Sequence, residues 1–267
     1  MSSETTRRRV LLGIGTGATV ALAGCGGTDS GGTPTANETA TEASTEMDTA
    51  TETGTDSTST ASVRVAHLSP DAPNVDVYVD GSAVLEDVAF GTVSSYLDVP
   101  AGERQVEITA AGDASTSVFD SALPVEADTD YTVAAVGEIS EGADQAFEVL
   151  PLTDDNSAPS EGNARVRLVH ASPDAPAVDV TLESNGSAVY DGVAYGESTY
   201  AEVPAGDYTL QVRGDTENND GDVAASFDVS VAAGEVYSAF AAGYLTPGDD
   251  PADTAFDLFV TQDTNGM

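Results

Sequence analysis

The chain has 267 residues, a formal net charge of −38 and eight basic residues, all of them arginine. Such an acidic balance argues against nucleic acid and anionic lipid headgroups as partners, because both are held by clustered Lys and Arg. A lone cysteine, Cys25, excludes disulfides, a thiol nucleophile and a blue-copper centre.

The N-terminal segment, 1–24, reads as an export signal. Thr6-Arg7-Arg8-Arg9-Val10-Leu11-Leu12 resembles a twin-arginine motif, with Arg7 and Arg8 as the pair. The apolar run from Val10 to Ala23 is shorter than the ~20 residues that span a bilayer as a helix. It ends in Leu22-Ala23-Gly24-Cys25, which resembles a lipobox, so Cys25 is the expected lipidation residue. Two acyl chains on such a thiol anchor a protein stably where one does not. The expected location is the outer face of the cell membrane.

Residues 25–61 are rich in Thr, Ser, Glu, Gly and Ala and lack aromatics. Such a segment cannot bury enough apolar surface to fold and reads as a disordered stalk. As a flexible coil it would span about 30–35 Å. Asn37-Glu38-Thr39 is an N-glycosylation sequon, as is Asn185-Gly186-Ser187 further on.

The rest is a duplication. His67-Leu-Ser69-Pro70-Asp71-Ala-Pro73-Asn-Val-Asp76-Val77 recurs as His170-Ala-Ser172-Pro173-Asp174-Ala-Pro176-Ala-Val-Asp179-Val180, 103 residues later. Apolar residues alternate before it (Val63, Val65) and after it (Val75, Val77, Val79), the period of strands with one buried face. Pro70 and Pro73 stiffen the corner between them. Ser69 and Asp71 can close the turn. His67 and His170 lie at inner-face parity, and each is expected to tie its strand end to the corner through a ring nitrogen. Asp76 and Asp179 are expected on a solvated strand face.

Further strands follow in the same order in both copies. Asp80-Gly81 is a tight-turn signal. Gly81-Ser-Ala-Val84 matches Gly186-Ser-Ala-Val189, Val99-Pro-Ala-Gly102 matches Val203-Pro-Ala-Gly206, and Tyr131 to Gly137 matches Tyr237 to Gly243. Short strands at close spacing predict an all-β chain of two tandem antiparallel β-sandwich, immunoglobulin-like domains, at 62–154 and 164–262. The 155–163 linker predicts beads with limited mutual contact. Tyr96, Tyr200, Tyr131 and Tyr237 read as core or rim residues.

Val203-Pro-Ala-Gly-Asp-Tyr-Thr-Leu-Gln-Val212 resembles the strand-turn-strand of transthyretin-like and other immunoglobulin-like modules. With the repeated corner motif, both copies resemble the family named domain of unknown function 4397, over roughly residues 62–260. The resemblance implies a secreted or surface β-sandwich module, often in tandem. It implies no activity and no catalytic residues.

No constellation in the sequence has the make-up of a catalytic site. One histidine per repeat is a poor transition-metal site. Asp215, Glu217, Asp220 and Asp222 could offer oxygens to calcium, but the loop lacks the glycine and closing glutamate of an EF-hand and reads as hydrated surface. No cofactor is expected. The composition is similar to that of extreme halophiles. At about 1 M salt the Debye length is ~3 Å, so carboxylate repulsion is screened and a salt requirement is expected. The functional expectation is a non-enzymatic, lipid-anchored surface protein acting in adhesion or envelope interaction, with an unknown surface protein or glycan as partner. The alternatives are a carbohydrate- or small-ligand-binding lipoprotein and an extracellular hydrolase.

Overall fold

A computed structural model describes residues 59–263 and the backbone of residues 7–9. Cys25, Asn37, residues 25–58 of the expected stalk and most of the export signal lie outside the described residues; the last stalk residues, Thr60 and Ala61, instead begin the first strand of the repeat, with Ala61 buried between its sheets. Strand β1 (Arg7–Arg9) pairs in parallel with Ser226–Asp228. The first repeat holds β2 (Thr60–His67), β3 (Val75–Val79), β4 (Ser82–Val88), β5 (Leu97–Pro100), β6 (Gly102–Ala110), β7 (Asp113–Val125), β8 (Asp130–Val136) and β9 (Glu148–Thr153). The second holds β10 (Asn163–Ala171), β11 (Val178–Leu182), β12 (Ala188–Val193), β13 (Ser198–Pro204), β14 (Gly206–Gly214), β15 (Val223–Val231), β16 (Val236–Ala242) and β17 (Asp257–Asp263).

Each repeat is a sandwich of two four-stranded sheets, and the strand orders correspond. In the first they run β5-β2-β8-β9 and β4-β3-β6-β7, in the second β13-β10-β16-β17 and β15-β14-β11-β12, the last extended to five strands by β1 beside β15. One pairing in each repeat is parallel, β2 with β8 and β10 with β16; the rest within the sandwiches are antiparallel. The parallel pair brings the first strand of the repeat beside its seventh, so the sandwich closes only when nearly the whole repeat is in place. Asp80 and Gly81 both take positive φ, 50° and 78°, in the tight turn joining β3 to β4.

Apolar residues at period two fill each sandwich. Val65, Val75, Val77, Val106 and Ile108 meet in the first, and Leu168, Val178, Val180, Val212 and Phe227 in the second. A third core lies between the repeats: Ala66, Leu68, Ala134 and Val136 of one against Val169, Ala171, Phe240 and Ala242 of the other. Four sheets are therefore stacked in layers around three cores. Strands β8 and β16 are buried along both faces, which their mostly apolar sequences reflect, interrupted inside the strand only by Thr132 and Ser238.

This overturns the expectation of beads with little contact. The linker is itself pinned. Asp155 N donates to the Tyr200 hydroxyl, Asn156 Nδ2 to Asp130, and Arg165 pairs with the Asp155 carboxylate at 2.7 Å. A linker rich in Asp, Asn, Ser, Pro and Gly signals exposure, but not whether the domains it joins have apolar outer faces.

Candidate functional site

The polar side chains buried deepest between the repeats form a hub with approximate two-fold symmetry. Arg64, in the middle of β2, and Arg167, at the matching place in β10, are 2 % and 0 % exposed. Each reaches across to the other repeat. Arg64 NH1 lies 2.5 Å from Asp263 Oδ1, and Arg167 NH1 lies 2.7 Å from Asp154 Oδ1. The hydroxyls of Thr132 and Ser238, on β8 and β16, each accept from both guanidiniums, at 2.8 to 3.1 Å. The same hydroxyls donate onward, Thr132 to Asp154 and Ser238 to Asp263. Tyr96 lies under Arg64 at 4.8 Å and Tyr200 under Arg167 at 5.5 Å.

Two cations face two anions, so the hub is neutral, and its hydroxyls act as donor and acceptor at once. This is the condition under which buried charge is tolerable. Burial by itself would lower the Arg64 pKa; the Asp263 hydrogen bond and charge, aided by Tyr96 and Asp154, more than offset it. Burial and the Asp154 carboxylate push the Tyr96 phenol up.

The corner motifs are built alike. His67 and His170 are fully buried, and Nε2 of each lies 3.0 Å from the carbonyl of Pro73 or Pro176. Ser69 and Ser172 are buried beside them, and Ser172 donates to the Gly243 carbonyl. Asp71 accepts the backbone N–H of Ile139 and Ser140, and Asp174 those of Leu245 and Thr246. The corner aspartates thus hold the loop after β8 or β16, a longer reach than the local turn closure expected of them. Pro70 and Pro173 sit at the turn, and the Pro70 carbonyl accepts from Thr254 of the other repeat.

Asp76 and Asp179 correct the expectation of a solvated face: they are 7 % and 0 % exposed. Asp76 accepts from the amides of Asp87 and Gly112, and Asp179 from those of Gly192 and Thr216. Each staples two strand ends from the sheet's outer side. The two amides hold the Asp76 carboxyl below the usual range.

Of the loop acids, only Asp215 joins a cluster, with Asp179 and Asp191; their oxygens lie within 4.8 Å of one another. Asn219, oriented as a donor, places its amide nitrogen 2.9 Å from Asp191 and 3.1 Å from Asp179, supplying protons to the cluster. Glu217, Asp220 and Asp222 are not brought in; Asp220 instead closes the loop with Thr216. Asp179, Asp191 and Asp215 are the described residues that could hold a hard cation. Asn185 sits exposed in the turn between β11 and β12, where its side chain accepts from Ser187 N.

A family model, domain of unknown function (DUF4397), matches residues 61–181 and 180–266. The chain belongs to the DUF4397 family. The first match runs on into β10 and β11, whereas the DUF4397 fold closes at Asp154, where the first pair of sheets is complete. No curated protein matches the chain. Among solved structures, the Bacillus anthracis TIE protein is similar at 12 % identity and TM-score 0.23, over 70 % of this chain and 34 % of that one. The chain thus spans about a third of TIE. A family 26 carbohydrate-binding module of Eubacterium rectale Amy13K, solved with maltoheptaose, matches at 11 % identity and TM-score 0.24, over 77 % and 97 %. A Bacteroides fragilis protein of proposed cell-adhesion role matches at 8 % and 0.20, over 76 % and 98 %.

The DUF4397 histidines carry a pH prediction. Burial holds both imidazoles below the ordinary range, with the proline carbonyl contacts opposing it. The unfolded chain binds protons near pH 6.5 and the folded chain only lower. Stability therefore falls as pH drops from about 6.5 towards the folded-state value, and is unaffected above it. Denaturation at about pH 7.5 and about pH 5.5 should show the loss. A His67→Gln/His170→Gln variant should show a shallower dependence; an unchanged slope would assign the effect to other groups.

Proposed function

We propose that this DUF4397 chain is a non-enzymatic, lipid-anchored surface protein whose paired sandwiches serve adhesion or envelope interaction. One observation carries the reading: the repeats are joined through a buried interface into one body, entered by β2 directly after the Thr-rich segment that follows Cys25. A tether leading into one stiff body suits display at a distance from the membrane. An acidic exterior with few cations suits recognition of a surface protein or glycan and disfavours nucleic acid.

Replacing Cys25 by serine is expected to release the protein to the medium or leave its precursor unprocessed, read by fractionation. Unchanged membrane retention would remove the anchor. The released Cys25→Ser protein, used as bait in envelope extract at high salt, tests the interaction; recovery of a discrete surface protein or glycan supports it, and capture of neither counts against it.

The charge also sets a salt expectation. Melting in about 3 M salt should occur well above melting in about 0.1 M, because screening removes carboxylate repulsion in the folded state. Equal melting temperatures would contradict it.

A further inference from the structure

We infer that β2 is a tension-bearing clamp, the element through which force on the membrane tether enters the fold. The inference rests on the tethered-display reading above and adds to it a mechanical task. Covalent connection decides the route: a pull from Cys25 reaches the folded chain at Ser59 and runs into Thr60–His67.

That strand is held on every side. It pairs antiparallel with β5 over Thr60–Val63 and parallel with β8 over Ser62–His67. Further bonds lie off the ladders: Ala101 N to Ser59 O, Asp128 N to Thr60 O, Ser94 N to Val65 O and His67 N to Thr92 O. Mid-strand, Arg64 binds Asp263 and Ser238 of the second repeat. Val65 packs into the sandwich core and Ala66 into the core between repeats. A pull along the axis of β2 therefore strains both ladders, the Arg64 bonds and two apolar contacts together, in shear. The two ladders and the apolar contacts load together, and the Arg64–Asp263 bond lasts as long as β17 stays in place.

The other chain end is built differently. Among the described residues β17 is an edge strand whose one backbone ladder is to β16, so its backbone bonds can be stripped in succession, although its Asp263 and Phe259 also meet Arg64 and Phe90 of the first repeat. β2 therefore has a ladder on each side, to β5 and to β8, where β17 has one.

The test is single-molecule stretching of the full chain, held at the thiol of Cys25, its only cysteine, and at a C-terminal tag. Each released residue adds about 3.3–3.6 Å of extended chain, so the gain in length at each rupture identifies the strand that left. The expected order has β17 leaving first and β2 only with the loss of its whole sheet. At matched force, release of β2 should be at least about ten-fold slower than release of β17, since forced unfolding reports barrier height. A first rupture that frees β2 alone, or release of β2 as fast as β17, overturns the clamp. That result would leave capture of an envelope partner unaffected, and a failed capture would leave the rupture order standing.

Discussion

Replacing Arg167 with methionine is expected to cost about 3–5 kcal/mol of folding stability, because it leaves one buried cation, Arg64, against two buried carboxylates, Asp154 at 3.6 Å and Asp263 at 2.5 Å. Asp154 and Arg167 are fully buried at their side chains, so solvent cannot take over the lost contact. Thr132 and Ser238 would also each lose one donor. The equivalent change at Arg64 should cost a similar amount, since the hub is close to symmetric. Removing all four charges together, with Met for the arginines and Leu for Asp154 and Asp263, should be far milder and could raise stability, because the desolvation penalty goes with the pair. Urea denaturation at high salt gives the comparison. A single-site loss below about 1 kcal/mol would mean that water reaches the hub. The wild-type chain should unfold in one transition, as the repeats share a core; two separated transitions would contradict that shared core.

The second large effect is at Gly91. It takes φ +79°, and a Cβ there would fall within the ring edge of Phe259 from the other repeat. Gly196 is its counterpart, with φ +78°, and a Cβ there would find only Leu150 Cδ1, at 3.9 Å. Alanine at either site carries the left-handed backbone cost of about 1–2 kcal/mol. At Gly91 an overpacking cost of about 1–3 kcal/mol is added, because the ring sits against Phe90 and has little room to move. Gly91→Ala is therefore expected to be the more damaging of the pair. In a Phe259→Ala background the excess should vanish, leaving a cost like that of Gly196→Ala. Equal costs for the two glycines in the wild type would sink this account of the contact.

The hub shows where reading by strand period fell short. In Val63-Arg64-Val65 the arginine occupies the polar position of an alternating strand, which in a lone sandwich faces water. Its burial requires a second sheet against that face, and the partner's Asp263 is 199 residues away. A signal was nonetheless present: two of only eight cations recur at the same place, three residues before each motif histidine. Stretches without a charged residue, such as Tyr131 to Val136, were a second sign that some strands had no solvent side.

Asp76 and Asp179 went astray for a related reason. An aspartate between valines reads as solvated, and only the register that brings the Asp87, Gly112, Gly192 and Thr216 amides to those carboxylates makes them buried acceptors. The loop acids, read as hydrated surface, show that density of carboxylates along the chain does not place their oxygens together. Asp179 and Asp215 are 36 positions apart and meet, whereas Asp220 and Asp222 lie nearer Asp215 in sequence and stay apart.

Strand class, the duplication and the corner motif were determined by sequence alone. They arise from local causes, namely side-chain alternation, proline's fixed φ and turn residues, all set within a few bonds. The welding of the repeats into one body, the neutral four-charge hub and the central seat of β2 were decided only in three dimensions. A charge is worth burying when its counterion arrives from elsewhere, and an apolar outer face is stable when another meets it; neither condition is written in any one stretch of chain.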